Sequence, residues 1–218
     1  MGTIASPWRY DAGARRPIQS PLLRGRANSC YALRKSSDGA RPGGGYGAQM
    51  TSGRWAKGYT QAELDGAQEK FGLVFPPDLV ALLRDRRPLD GHVWTDEVAI
   101  RRMLDWPFEG LLFDIEHNHL WWPEWGEKPV SPDARKEVLR SVVSRVPKLI
   151  PLIGHRYLPE EPHESGNPVF SVYQADVIYY GADLIDYFER EFAGWSHRPW
   201  PDQIKYVPFW SDLVERNI

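Results

Sequence analysis

Carboxylates and tryptophans lie close together in the segment "FDIEHNHLWWPEW", which covers residues 113–125. Asp114 and Glu116 are two residues apart, so a strand would place both side chains on one face. Glu124 follows a pair of tryptophans, and paired acids beside aromatic rings are typical of glycoside hydrolases, which flank the scissile bond with two carboxylates. Alternating acids are also ordinary on the solvated face of an antiparallel strand, and we favour that second interpretation.

Other groups with catalytic or metal-binding chemistry lack the spacing that such chemistry needs. His117 and His119 would share one face of a strand, but no third ligand follows at a zinc-motif distance. Cys30 is the lone cysteine, and Ser171 lies in a strand pattern outside any G-x-S-x-G elbow. The "GGGYG" segment lacks the Lys-Ser/Thr of a phosphate loop. We therefore predict a non-enzymatic protein with no metal and no cofactor.

The tryptophans of "LWWPEWGEKP" favour a binding surface instead. Three Trp in five residues, interrupted by Pro123 and Glu124, cannot all turn inward from one short segment, so at least one should reach the surface beside carboxylates. Tryptophan supplies a large contact area at low entropic cost, and binding hot spots favour it. A further acid follows a predicted strand turn. The predicted partner-binding residues are Asp114, Glu116, Trp121, Trp122, Glu124, Trp125 and Asp176.

Charge is distributed unevenly along the 218 residues, whose formal net charge is −2. Residues 1–58 carry ten Arg or Lys against two Asp, a charge of +8, whereas residues 59–218 carry 17 basic and 27 acidic side chains, a charge of −10. Such asymmetry is typical of a tail attached to a folded body. No secretory signal is recognisable, and no apolar run approaches the roughly 20 residues that span a bilayer. We expect a cytoplasmic protein with no membrane partner.

Residues 1–58 are predicted to form a basic, disordered leader. Their apolar residues follow neither a helical nor a strand period, so the segment cannot bury enough surface to offset its ordering entropy. A basic arm can bind nucleic acid through phosphates, but its scattered single arginines support only weak binding of this kind. Met50 opens a stretch of different composition, which raises the hypothesis that the native chain begins there.

Helical signals dominate the first part of the predicted body. Thr60 begins a capping box with the glutamate three residues later, and Pro77 suits the first turn of the next helix. A third short helix is expected to start after Thr95 and to end before Pro107. The clearest apolar stripe follows Ser131, a typical N-cap.

Strand signals appear between and after these helices. A period of two predicts a strand from Gly110 to a turn at Asn118, followed by a returning aromatic segment. Two short strands are predicted at Val169–Gln174 and Asp176–Tyr180, and an acidic helix begins after Asp183. Strands clustered among helices, without a repeating βαβ order, indicate an α+β fold.

Four segments together resemble the Smi/Knr family of the SUKH superfamily: "FGLVFPPDLVALLRDR", "LIPLIGHRYLP", "GNPVFSVYQADVIYYGADLIDYFEREF" and "FWSDLV". The resemblance covers roughly residues 59–218 and leaves the basic leader unmatched. It implies an α+β domain with a mixed, mainly antiparallel sheet packed against helices. It also implies an immunity protein that neutralises a toxin domain, often a nuclease, as in bacterial members, or a regulator tied to cell-wall synthesis and signalling, as in fungal members. No catalytic motif is carried onto this chain.

These observations predict a domain of residues 59–218 that acts by binding another protein. A body with a charge of −10 attracts a basic partner, and nucleases tend to be basic because they handle phosphates. The partner would be a toxin or a regulated cellular protein. The alternative is a carbohydrate-binding or carbohydrate-active protein that uses the same tryptophans and carboxylates.

Overall fold

The computed structural model of the protein describes residues 55–192 and 199–216. The α+β class expected from the sequence is confirmed in these ranges. The hypothesis about Met50 and the predicted disorder of residues 1–54 fall outside the described residues. Trp55–Lys57, which the sequence pattern assigned to the leader, forms a strand that pairs with a later segment of the body.

Six helices occur in the described ranges. Two of them begin at the caps that the sequence predicts: Thr60 and Glu63 form a capping box, and the Ser131 hydroxyl accepts a hydrogen bond from the Ala134 amide at 3.4 Å. The helices are α1 (Gln61–Phe71), α2 (Pro77–Asp85), α3 (Glu97–His117), α4 (Pro132–Val143), α5 (Leu184–Phe192) and α6 (Trp210–Arg216). A 3-10 turn covers Pro123–Trp125.

In the same two ranges, six short strands form two sheets, and every strand pair is antiparallel. The first two strands make a small ribbon, and the other four follow one another in a meander. The strands are β1 (Trp55–Lys57), β2 (Arg86–Pro88), β3 (Leu149–Pro151), β4 (Arg156–Pro159), β5 (Val169–Tyr173) and β6 (Asp176–Gly181). The predicted pair of strands around Ala175 is confirmed as the β5–β6 hairpin.

The four-stranded sheet separates two hydrophobic cores. On one face, Tyr157, Phe170 and Val177 pack against α3, α4 and α6. On the other face, Leu158 and Val169 pack against α1, α2 and α5. Since adjacent residues of a strand point to opposite faces, these neighbouring pairs in β4 and β5 supply both cores at once.

Helix α3 differs from the sequence-based expectation in two respects. It does not end before Pro107 but continues through this proline to His117, and the strand predicted from Gly110 is therefore wrong. A proline inside a helix leaves the carbonyl four residues earlier without its usual donor. Here the hydroxyl of buried Tyr157 donates to that carbonyl, on Met103, at 2.8 Å. Burial raises the pKa of the Tyr157 phenol, so the hydroxyl keeps the proton that it donates.

Candidate functional site

Asp114 connects α3 to the β5–β6 hairpin. Its side chain is only 6% exposed, and its carboxylate accepts hydrogen bonds from the Ala175 amide at 2.7 Å and from Asn118 Nδ2 at 2.6 Å. On a helix, residues two apart point about 200° away from each other. The expectation that Asp114 and Glu116 share a face is therefore wrong, and Asp114 lies in the interior as an anchor of the hairpin.

Glu116 forms an ion pair across to α4. Its carboxylate accepts from Arg135 Nη2 at 2.5 Å and from Arg135 Nε at 2.8 Å, a two-point contact. Arg135 also donates to the carbonyls of Pro129 and Val130, which places the segment before α4. The hydrogen bonds from Arg135 lower the pKa of the Glu116 carboxyl, which keeps it charged. This acid therefore has a structural partner and is not poised to exchange protons.

The three predicted tryptophans form one compact cluster after α3. Trp121 and Trp125 are half-buried and meet edge to face at 5.4 Å, whereas Trp122 is buried with 5% exposure. The guanidinium of Arg216 lies 3.8 Å from the centre of the Trp122 ring and also pairs with Glu124 at 2.7 Å. Since Arg216 covers that face of the ring, a sugar cannot stack on it.

The two neighbouring histidines take separate roles. His117 stacks on Phe113 with ring centres 4.3 Å apart, and its Nδ1 lies 3.0 Å from the Phe113 carbonyl oxygen. His119 leaves the helix in a left-handed conformation with φ of 61°. In the ranges 55–192 and 199–216, no group of three or more His, Cys, Asp and Glu side chains is arranged to hold a metal ion.

Asp176 and Glu124 are the predicted site residues that are exposed, and Asp176, unlike Glu124, lies beside aromatic side chains of the hairpin and α3. It pairs in register with Tyr173 at the end of the β5–β6 hairpin. The Tyr173 ring lies 6.1 Å from the Trp106 ring of α3, and Trp106 Nε1 donates to the Val172 carbonyl at 3.1 Å. Gln174 follows Tyr173 in the turn of the hairpin. Gly110 of α3 packs against this turn, since a Cβ added at Gly110 would lie 2.8 Å from the Cα of Gln174.

We name this region the helix–hairpin surface. Sequence patterns missed most of it, because the strand assumed over 110–117 concealed the helical spacing of 106, 113 and 117. That spacing of seven and four residues is the signal that identifies one face of a helix. The residues of the helix–hairpin surface are Asp105, Trp106, Glu109, Phe113, Tyr173 and Asp176.

His155 lies beside this surface and should remain neutral in the folded protein. Its ring centre is 6.2 Å from that of Tyr173, and burial together with the neighbouring Arg156 lowers the pKa of the imidazole from 6.5 to about 4. The unfolded chain would bind the proton first, so this histidine should reduce stability as the pH falls from about 6.5 towards 4.

Ring NMR signals test this expectation directly. We expect the His155 signal, assigned through its loss in a His155→Gln variant, to show no protonation between pH 7.5 and pH 5.5. A titration midpoint near its ordinary value of 6.5 would contradict the burial and the Arg156 contact that the structure shows.

Comparisons with family models, with curated proteins and with solved structures found no match to this chain. The resemblance to the Smi/Knr family therefore stays a prediction. In the part of the chain that the structure describes, none of the helices has the length and apolarity needed for a bilayer span.

Proposed function

We propose that the body of this chain is a non-enzymatic protein-binding domain that acts as an immunity-type protein, binding and neutralising a basic toxin domain. The observation that carries the proposal is the charge of −10 on residues 59–218. Ion pairs such as Glu116–Arg135 and Glu124–Arg216 each combine one negative and one positive charge, so they do not change the net negative charge of the body. A negative field of this kind attracts cationic proteins and accelerates their encounter.

The hydrogen bonding of the candidate acids supports binding over acid–base chemistry. Asp114 accepts two internal hydrogen bonds, and Glu116 and Glu124 each accept from an arginine. A general acid or base needs an ionisable group free to reach the substrate and to exchange a proton near neutral pH. The arginine contacts lower the pKa of Glu116 and of Glu124, which is opposite to the shift of a general acid.

The mechanism follows from a preformed surface. Long-range attraction would bring the basic partner to the body, and exposed aromatic side chains would then slow its dissociation by burying area on contact. A specific complex of this kind covers roughly 800 Å² on each partner. By occupying the phosphate-handling face of a nuclease, the chain would exclude nucleic acid. We place this activity in the cytoplasm, where such a toxin would meet its substrate.

Co-expression tests the proposal. We expect the full chain to restore the growth of a bacterial host that expresses a basic toxin domain encoded near its gene. With a catalytically inactive form of that toxin, the purified proteins should form a stable complex on size-exclusion chromatography. The matched control is the same toxin expressed with an empty vector.

The outcomes separate the candidate roles. A stable complex without rescue of growth would contradict the immunity role and favour a regulatory partner. Neither rescue nor a complex with any basic toxin candidate would contradict the proposed function as a whole.

A further inference from the structure

We propose that the helix–hairpin surface is the docking site for an arginine- or lysine-bearing segment of the protein partner. This inference rests on the proposed function and adds the location of the contact and the chemical group that is recognised. It moves the interface away from the 114–125 segment, where Asp114 and Trp122 are buried and both remaining acids are ion-paired.

Exposed aromatic rings mark this surface. Phe113 is 45% exposed and Tyr173 is 54% exposed. Among the described Phe, Tyr and Trp side chains, Tyr206 is the other one exposed to this degree, and its hydroxyl donates to Asp212 at 2.7 Å. Two of these three rings therefore lie near the contact between Gly110 of α3 and Gln174 of the hairpin turn. Phe113 follows Gly110 by three residues, and Tyr173 immediately precedes Gln174.

Exposed carboxylates occur on the same helix and hairpin as these rings. Asp105 and Glu109 are exposed on α3, Asp176 is exposed at the hairpin, and within the described ranges no lysine, arginine or histidine forms an ion pair with any of them. Aromatic faces attract cations through their quadrupole, and carboxylates accept charge-assisted hydrogen bonds from the same groups. The combination fits a guanidinium or ammonium group and disfavours an anionic or purely apolar ligand.

Internal contacts hold several side chains of this surface in place in the unbound chain. Trp106 is fixed by its hydrogen bond to Val172, Asp114 by its bond to Ala175, and Phe113 by its stack on His117. A preorganised surface loses less conformational entropy on binding, so each contact contributes more of its energy to affinity.

An exposed arginine on the same side of α3 allows a test of whether the partner's charge is positive. Arg102 is exposed one helical turn before Trp106, whereas Arg101 is already paired with Glu97. If the partner is cationic, Arg102 opposes binding, and its neutralisation should strengthen the contact.

Titration of the ¹⁵N-labelled full chain with acetylated, amidated hexaarginine, followed by NMR, tests the inference. We expect saturable amide shifts concentrated around Phe113, Gln174 and Asp176, and no such shifts with hexaglutamate. Shifts centred on another face, or no saturable shifts at all, would overturn the inference.

Variants give the second part of the test, each first checked for a native amide spectrum. The Phe113→Ala/Tyr173→Ala pair should weaken hexaarginine binding about fivefold, and Asp176→Lys about threefold. Arg102→Gln should strengthen it about twofold. Glu69→Lys, which reverses an exposed acid on α1, is the matched control for net charge. Equal weakening by Asp176→Lys and Glu69→Lys would overturn the inference, since it would show a non-specific charge effect.

These results are distinguishable from failure of the proposed function. If the Phe113→Ala/Tyr173→Ala pair leaves the affinity for the toxin unchanged, the proposed docking site is contradicted, whereas the protein-binding function is not. If hexaarginine binds specifically to the helix–hairpin surface, but no basic toxin forms a complex with the chain and growth is not rescued, the immunity role is contradicted. The cation-binding surface would then still be supported.

Discussion

Replacement of Asp114 by alanine is expected to lower the free energy of unfolding by about 3 kcal/mol. The buried carboxylate accepts from the Ala175 amide at 2.7 Å and from Asn118 Nδ2 at 2.6 Å, and alanine offers neither acceptor. The substitution also leaves a small void between α3 and the hairpin. Urea denaturation at pH 7, followed by tryptophan fluorescence, measures the change.

The matched control for this variant is Asp105→Ala on the same helix. Asp105 is exposed and forms no ion pair with another described residue, so its loss should change stability by less than about 0.5 kcal/mol. Similar small effects of the two substitutions would show that Asp114 does not anchor the β5–β6 turn against α3.

Gly110→Ala is expected to destabilise the protein by about 2 kcal/mol, although alanine is the better helix former. The added Cβ would lie 2.8 Å from Gln174 Cα and 3.1 Å from Gln174 N, and these backbone atoms cannot rotate away as a flexible side chain can. Either α3 or the hairpin turn must shift. Urea denaturation and the amide shifts of residues 173–176 would report the loss of stability and the displacement.

Gly66→Ala on α1 is the opposite-sign control. A Cβ at Gly66 meets no atom within 4 Å, so this substitution should stabilise the protein by about 1 kcal/mol through helix propensity. If Gly110→Ala also stabilised the protein, the close approach of α3 to the hairpin would be contradicted.

Local signals predicted part of the fold correctly. Thr60 and Ser131 cap helices as expected, because a cap depends on residues within one turn of each other. The continuation of α3 through Pro107 depended on a hydroxyl from Tyr157, which follows the proline by 50 residues and packs there only in the folded state. The sequence around Pro107 does not reveal the Tyr157 hydroxyl as a hydrogen-bond donor. The general expectation that a helix ends before a proline therefore predicted the wrong end for α3.

The same error explains what was missed at the candidate site. Once residues 110–117 were assigned to a strand, Asp114 and Glu116 were expected on one face. The helix instead buries Asp114, pairs Glu116 with Arg135, and exposes Phe113 beside the hairpin. The partners of the acids come from α4, α6 and the β5–β6 turn, which only the tertiary structure brings together. Asp176 is exposed at the hairpin, and its expected role in partner binding stays a prediction.

Calorimetry at low and at moderate salt, with the full chain and an inactivated basic toxin domain, would show whether the acidic body binds a cationic protein. We expect a stoichiometric complex that weakens about tenfold or more as the salt concentration rises from about 50 to about 300 mM, because acidic side chains of this chain meet cations of the partner. An affinity that does not change with salt, or no binding at either concentration, would contradict this expectation.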